Sequence, residues 1–200
     1  MESETKTSLY KLIDEFHDWR LKEFPEYATI ADVHIYNNKL GTLSLAKFDE
    51  RKSKCEHFLA LLDNIKRDTL EKVDRAHFDL LKDFLKTYIE GHKWRYFSAC
   101  NPVTFLENIH LNFKSFLIDA TPFETKEDFY NYAERLHCIP TQIDEQVTLM
   151  KEAIYHKTTL HRVSVENVPG ELAEIIEEDI PQHPFYEPCR QHIEKVPGNP

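Results

Sequence analysis

The chain has little glycine, four residues in 200. Tight hairpins and phosphate-cradling loops depend on that residue, and the G-x-S-x-G, Walker and Rossmann spacings are all missing. HExxH is missing too, and no two histidines stand three or four residues apart, so no helix face presents the imidazole pair of a zinc peptidase. No run approaches the roughly 18 apolar residues of a membrane-spanning helix. The start, MESETKTSLYKLIDEF, lacks a basic region followed by a continuous apolar stretch, so no signal peptide is expected. Cys55, Cys100, Cys138 and Cys189 are widely spaced with no CxxC element. Without export they read as reduced thiols, and the expected location is cytoplasmic.

Basic residues are also short, 25 against 35 acidic ones, for a formal charge of -10. That field disfavours a nucleic-acid backbone or an anionic membrane as partner. As a whole-chain property the acidity describes a solvated surface and does not indicate a cationic substrate.

What the chain does have is an apolar share of 41%, with 13 Phe and 9 Tyr residues, enough for an aromatic-rich core. Apolar positions return at three and four residues, which predicts an all-α fold. The expected architecture is an irregular bundle of about six or seven helices with long connections. A single helical domain over residues 1–180 is expected, followed by a proline-rich tail over 181–200 that packs or is partly mobile.

The first helix is expected from about Thr5–Ser8 to Phe24, with Leu9, Leu12, Ile13, Phe16 and Trp19 on its buried face and Pro25 as its stop. Asn37, Asn38 and Gly41 mark turns in a segment that reads as irregular or as a small strand pair. A second helix is expected over Leu45–Lys66. A third is expected over Asp74–Phe97, with Asp68 or Asp74 as a candidate cap and Gly91 as a weak point. The fourth, from Pro102 to Ile118, has its stripe at Leu106, Ile109, Phe113, Phe116 and Leu117.

Thr125 and Asp128 have the spacing of a capping box for the fifth helix, whose stripe is Phe129, Tyr132, Ala133 and Leu136. Pro140 is expected to end it. A sixth helix follows at once, with Ile143, Val147, Met150 and Ile154 requiring cover. Beyond Tyr155 the pattern is ambiguous until ELAEIIEEDI resumes a helix.

Two ExxH pairs, Glu107 with His110 and Glu134 with His137, have the spacing used in diiron bundles. Helical phase turns each glutamate away from its apolar stripe, so neither is assigned a metal. No catalytic residue and no cofactor is assigned. The candidate ligand-binding residues are His92, Trp94, Arg95 and Tyr96, beside Phe97, where aromatic faces and a guanidinium could hold an organic anion or a peptide end. The alternative is that these rings pack at a helix end while Arg95 solvates the rim. His161 and Arg162 form a smaller polar candidate.

Several stretches carry a family likeness. FPEYATIADVHIYNNKL contains a P-E-x-A-T element at Pro25, Glu26, Ala28 and Thr29, and LEKVDRAHFDLLKDFL gives an L-x-x-x-D start to a long helix. In PFETKEDFYNYAERLHCIPTQIDEQVTLMKEAI the pattern falls on Pro122, Phe123, Thr125, Asp128, Tyr132, Arg135, Leu136, Pro140 and Ile143. HPFYEPC adds a docking segment with Pro184, Phe185, Tyr186 and Pro188. Together, over about residues 10 to 190, the chain resembles the amino-terminal portion of the domain of unknown function 885 family, DUF885. Where that family has small, glycine-rich spacing, this chain has Ala153, Lys157 and His161.

The resemblance implies a helical architecture related to zinc peptidase-like proteins. It also implies that the HExxPGH-like metal motif of those proteins, which lies in a later region, is not carried by these residues. The expected function is a noncatalytic helical binding or partner-interaction module, resembling the substrate-channel half of a peptidase-like protein. Alternatives are a fragment of a longer zinc-dependent peptidase or amide hydrolase, and a small organic ligand-binding protein. The expected partners are a protein or a carboxy-terminal domain, or a peptide or small organic ligand, with neither nucleic acid nor membrane.

Overall fold

The structure is a computed structural model that describes residues 2–97, 99–104 and 114–196. The described residues contain seven α-helices joined by 3-10 turns, with no strand among them. The helices are α1 (Glu2–Glu23), α2 (Pro25–Ile30), α3 (Leu45–Asp63), α4 (Lys72–Gly91), α5 (Lys126–Tyr155), α6 (Val168–Glu177) and α7 (Glu187–His192). By internal contacts the chain divides into two compact units, one of residues 1–21 and 44–95, the other of residues 22–43 and 96–200.

In the first unit α1, α3 and α4 bury the stripes read from their spacing. Leu9, Leu12 and Phe16 meet Cys55, Phe58 and Leu62 of α3 and Phe78, Leu81 and Leu85 of α4. Phe16 lies edge-on to Phe58 with ring centroids 5.4 Å apart, a geometry that adds quadrupole attraction to the area buried. Ser44 caps α3 by accepting from the Lys47 N–H. Asp74, a candidate cap, sits instead inside the first turn of α4, behind the N-cap Glu71. Its carboxylate is buried and accepts from the Tyr10 hydroxyl at 2.8 Å, with the Lys6 ammonium 3.5 Å away. A tertiary partner has claimed the group that local sequence offers to the helix start.

In the second unit Pro25 opens a helix as well as closing one. It occupies the first turn of α2, where a missing N–H costs nothing. The following segment makes a 3-10 turn at His34–Tyr36, and Asp32 takes a positive φ of 62° before it. The expected helix from Pro102 to Ile118 lies mostly at residues 105–113, outside the described residues, as do Glu107 and His110. Its described end, Lys114–Asp119, is a π-helical turn.

The predicted break at Pro140 does not occur: α5 runs unbroken for 30 residues with Pro140 inside it. Buried side chains anchor the helix on both sides of the proline, Tyr132 and Arg135 before it, Gln142, Leu149 and Ala153 after it. That packing carries the chain through one lost donor, and the pyrrolidine ring faces solvent. The start of α5 matches the sequence: Thr125 accepts from the Asp128 N–H and Asp128 accepts from the Thr125 N–H, the reciprocal capping box. Leu117 and Tyr132 form the small buried centre of this unit, with Phe123, Leu136 and Phe185 against them.

Candidate functional site

The four residues singled out as a ligand site have separate surroundings. His92 opens the 3-10 turn that follows α4, and its Nε2 is 2.9 Å from Asp49 Oδ1 of α3, an ion pair when the ring is protonated. Arg95 returns to the same turn, where Nη1 donates to the His92 carbonyl at 3.1 Å. Trp94 lies under the Lys93 ammonium, 5.3 Å from its ring centroid. Tyr96 belongs to the second unit. There its ring meets that of His156 at 3.9 Å, and its carbonyl accepts from the Thr158 hydroxyl and the Asn101 amide. The fold thus joins His92 to Arg95 and gives Tyr96 its own partners.

The other polar candidates are local. Glu134 and His137 lie on the exposed face of α5, in keeping with their helical phase. Among the described residues no cluster of three or more His, Cys, Asp or Glu side chains could hold a metal ion. Arg162 is 3.5 Å from Glu166, one turn on, and His161 beside it is exposed.

A buried polar node went unrecognised as a unit, although the family-like pattern contains several of its members. Arg135 of α5 is fully buried. Its Nε donates to the Lys39 carbonyl at 2.8 Å, while Nη2 donates to the Tyr36 carbonyl at 3.0 Å and to Thr29 Oγ1 at 2.8 Å. Nη1 is buried with no partner among the described residues. Burial pulls the guanidinium down from its ordinary range to about 10, and the nearby Glu26 carboxylate opposes that shift.

Two turns further along α5, the Gln142 amide donates to Glu26 Oε1 at 3.0 Å and to the Gly41 carbonyl at 2.9 Å. The same Glu26 oxygen accepts from the Gly41 N–H at 2.8 Å, and a Cβ at Gly41 would stand only 3.0 Å from the other one. The loop after α2 has no regular ladder of its own, so α5 side chains satisfy its carbonyls. Glu26 and Thr29 of the P-E-x-A-T element are thereby fastened to the helix that carries Arg135 and Gln142. This node fixes architecture.

The second unit also carries an apolar hollow. A groove of about 740 Å³ runs between the later half of α5 and α6. Ile143, Val147 and Met150 form one wall, and Val168, Leu172 and Ile176 form the other. The stripe that required cover is therefore open along α5: Ile143 and Val147 are each 41% exposed and Ile154 64%, while Ile176 across the groove is 81% exposed. Among the described lining residues His183 is the one titratable side chain, and its Nδ1 accepts from the Phe185 N–H at 3.2 Å. Such a surface can hold apolar groups. Its described residues do not bring together the paired acid and base that proton-transfer chemistry requires.

A protein family described as "Bacterial protein of unknown function (DUF885)" matches residues 25–197. The chain belongs to that family. No curated protein matches it, and no solved structure does.

Proposed function

We propose that this chain is a noncatalytic helical module that binds a partner through the apolar groove between α5 and α6. The observation that carries this reading is exposed aliphatic surface on both walls, Ile143 and Val147 on α5 and Ile176 on α6, with half-buried Leu172 beside it. Apolar surface held in water costs about 25 cal/mol per Å², and contiguous patches of it mark interaction sites. The groove volume also lies within the range that accommodates organic ligands or peptide side chains. The His92, Trp94 and Arg95 group is a weaker candidate, because His92 and Arg95 already engage Asp49 and the turn backbone.

Titration with Nile red, an uncharged probe of apolar sites, tests the reading. The folded chain is expected to take up the dye, and the double variant Val147→Glu/Ile176→Glu to take up about tenfold less with an unchanged far-ultraviolet spectrum. Both positions are exposed, so the variant should fold. Equal uptake by the two folded proteins would show that the groove is not the binding surface.

A second reading is favoured by the likeness to the amino-terminal portion of peptidase-like proteins: the groove is then a wall of a substrate channel in a longer zinc-dependent hydrolase. Intact mass and metal content of the endogenous protein separate the two. A product near 24 kDa without stoichiometric metal supports the binding module, and a much larger metal-bearing one supports the channel wall.

A further inference from the structure

We propose that the occupant of this groove is a basic amphipathic helix, an inference that rests on the groove-binding reading above and names its partner class. The apolar walls set the occupant's shape. On α5 the open stripe repeats at Ile143, Val147, Met150 and Ile154, about three turns of helix, of which the first three line the groove; α6 lines it with Val168, Leu172 and Ile176, buried, half-buried and exposed in turn. An occupant helix with apolar residues at i, i+3 or i+4, and i+7 lies along such a surface.

Charge sets its sign. From Ser164 to Gln182 the chain carries six acidic residues and no lysine or arginine. Glu174, Glu177, Glu178 and Asp179 are all exposed and crowd the carboxyl end of α6, which has no basic residue in its last turn. Carboxylates at that end oppose the helix macrodipole, and they make no ion pair among the described residues. The α5 wall does not offset them, since Asp144 and Lys151, each next in sequence to a groove residue, cancel. The groove is thus apolar along its floor and negative along one rim, and that rim is relieved by cations on the occupant. A second copy of this chain would bring a further charge of -10 to the same rim, and a fatty acid would bring a carboxylate.

The test uses the full chain and two labelled synthetic peptides of about 14 residues, each with leucine at the helix-contact positions. One has lysine on its flanks and the other glutamate. Fluorescence anisotropy should show the lysine peptide binding at least about tenfold more tightly at low salt, with the advantage shrinking as salt rises. The triple variant Glu174→Gln/Glu177→Gln/Glu178→Gln should lose most of that advantage while still taking up Nile red. A control of equal charge change on exposed α1 residues, Asp14→Asn/Glu15→Gln/Asp18→Asn, should keep it. Equal binding of the two peptides, or loss of the advantage in the α1 control as well, would overturn the basic-helix assignment while dye uptake leaves the groove reading in place. A concentration-dependent dimer in light scattering that disappears in Ile176→Glu would assign the groove to a second copy instead. Absence of dye uptake by the wild-type chain would remove the groove reading itself.

Discussion

Arg135 on α5 donates from Nη2 to the hydroxyl of Thr29 on α2 at 2.8 Å, across 106 residues of sequence. The same guanidinium holds the carbonyls of Tyr36 and Lys39, so one side chain fixes the loop after α2 against the middle of α5. Replacing it takes from the Lys39 carbonyl and the Thr29 hydroxyl the donor that Arg135 supplies, and leaves the Tyr36 carbonyl with the Lys39 N–H alone. Arg135→Met keeps much of the volume and removes all of the donors, and it should lower stability by about 3 kcal/mol in urea unfolding. Arg135→Lys should lose nearly as much, because a single ammonium cannot span the fork of acceptors. A loss below about 0.5 kcal/mol in Arg135→Met would show that the node does not hold the loop.

The capping box at the start of α5 can be measured separately. Asp128 Oδ2 accepts from the backbone of both Glu124 and Thr125, and the Asp128 N–H returns a bond to the Thr125 hydroxyl. Thr125→Ala should cost about 1 kcal/mol, and Asp128→Ala a similar amount. Because the two bonds are reciprocal, the double variant should cost less than the sum, which a double-mutant cycle would read directly.

Pro140 withholds a donor from the Leu136 carbonyl within a continuous helix, and its ring is exposed. Pro140→Ala restores the donor without opening a cavity. The expected gain is about 1–3 kcal/mol in thermal or urea unfolding. A loss of stability would mean that the proline shapes α5 to its neighbours.

The Cys55 thiol lies in the core of the first unit, where burial pushes it up from 9.0 to about 11. The native chain therefore keeps its proton at pH values where the unfolded chain has lost it. Stability from this group is complete below about 9 and falls as pH rises toward about 11. Cys55→Ala should flatten that part of the stability profile. Under native conditions Cys138, which is partly exposed, should react with a thiol reagent well before Cys55.

Much of the helical plan is legible in the sequence because it is local. The stripe Leu9, Leu12 and Phe16 packs as its spacing requires, and Thr125 and Asp128 form the cap that their separation suggests. Where long-range contacts compete with local chemistry, the sequence misleads. Pro140 reads as a stop because its cost is visible in the chain, while the anchors that offset it, Tyr132 and Arg135 on one side and Leu149 and Ala153 on the other, take effect only once folded. Asp74 reads as a cap because its partner Tyr10 is 64 residues distant.

The same division governs the site. His92, Trp94, Arg95 and Tyr96 stand together in sequence, yet the fold gives Tyr96 to the second unit and turns His92 toward Asp49. Neighbours in sequence share a stretch of backbone, and their side chains leave it in different directions. By itself, then, the sequence determined the helical class, the family pattern and the faces that seek burial, because periodicity and capping act over a few residues. Tertiary structure alone decided which buried donor serves which carbonyl, and which apolar stripe stays open, because each depends on what lies across the fold from it.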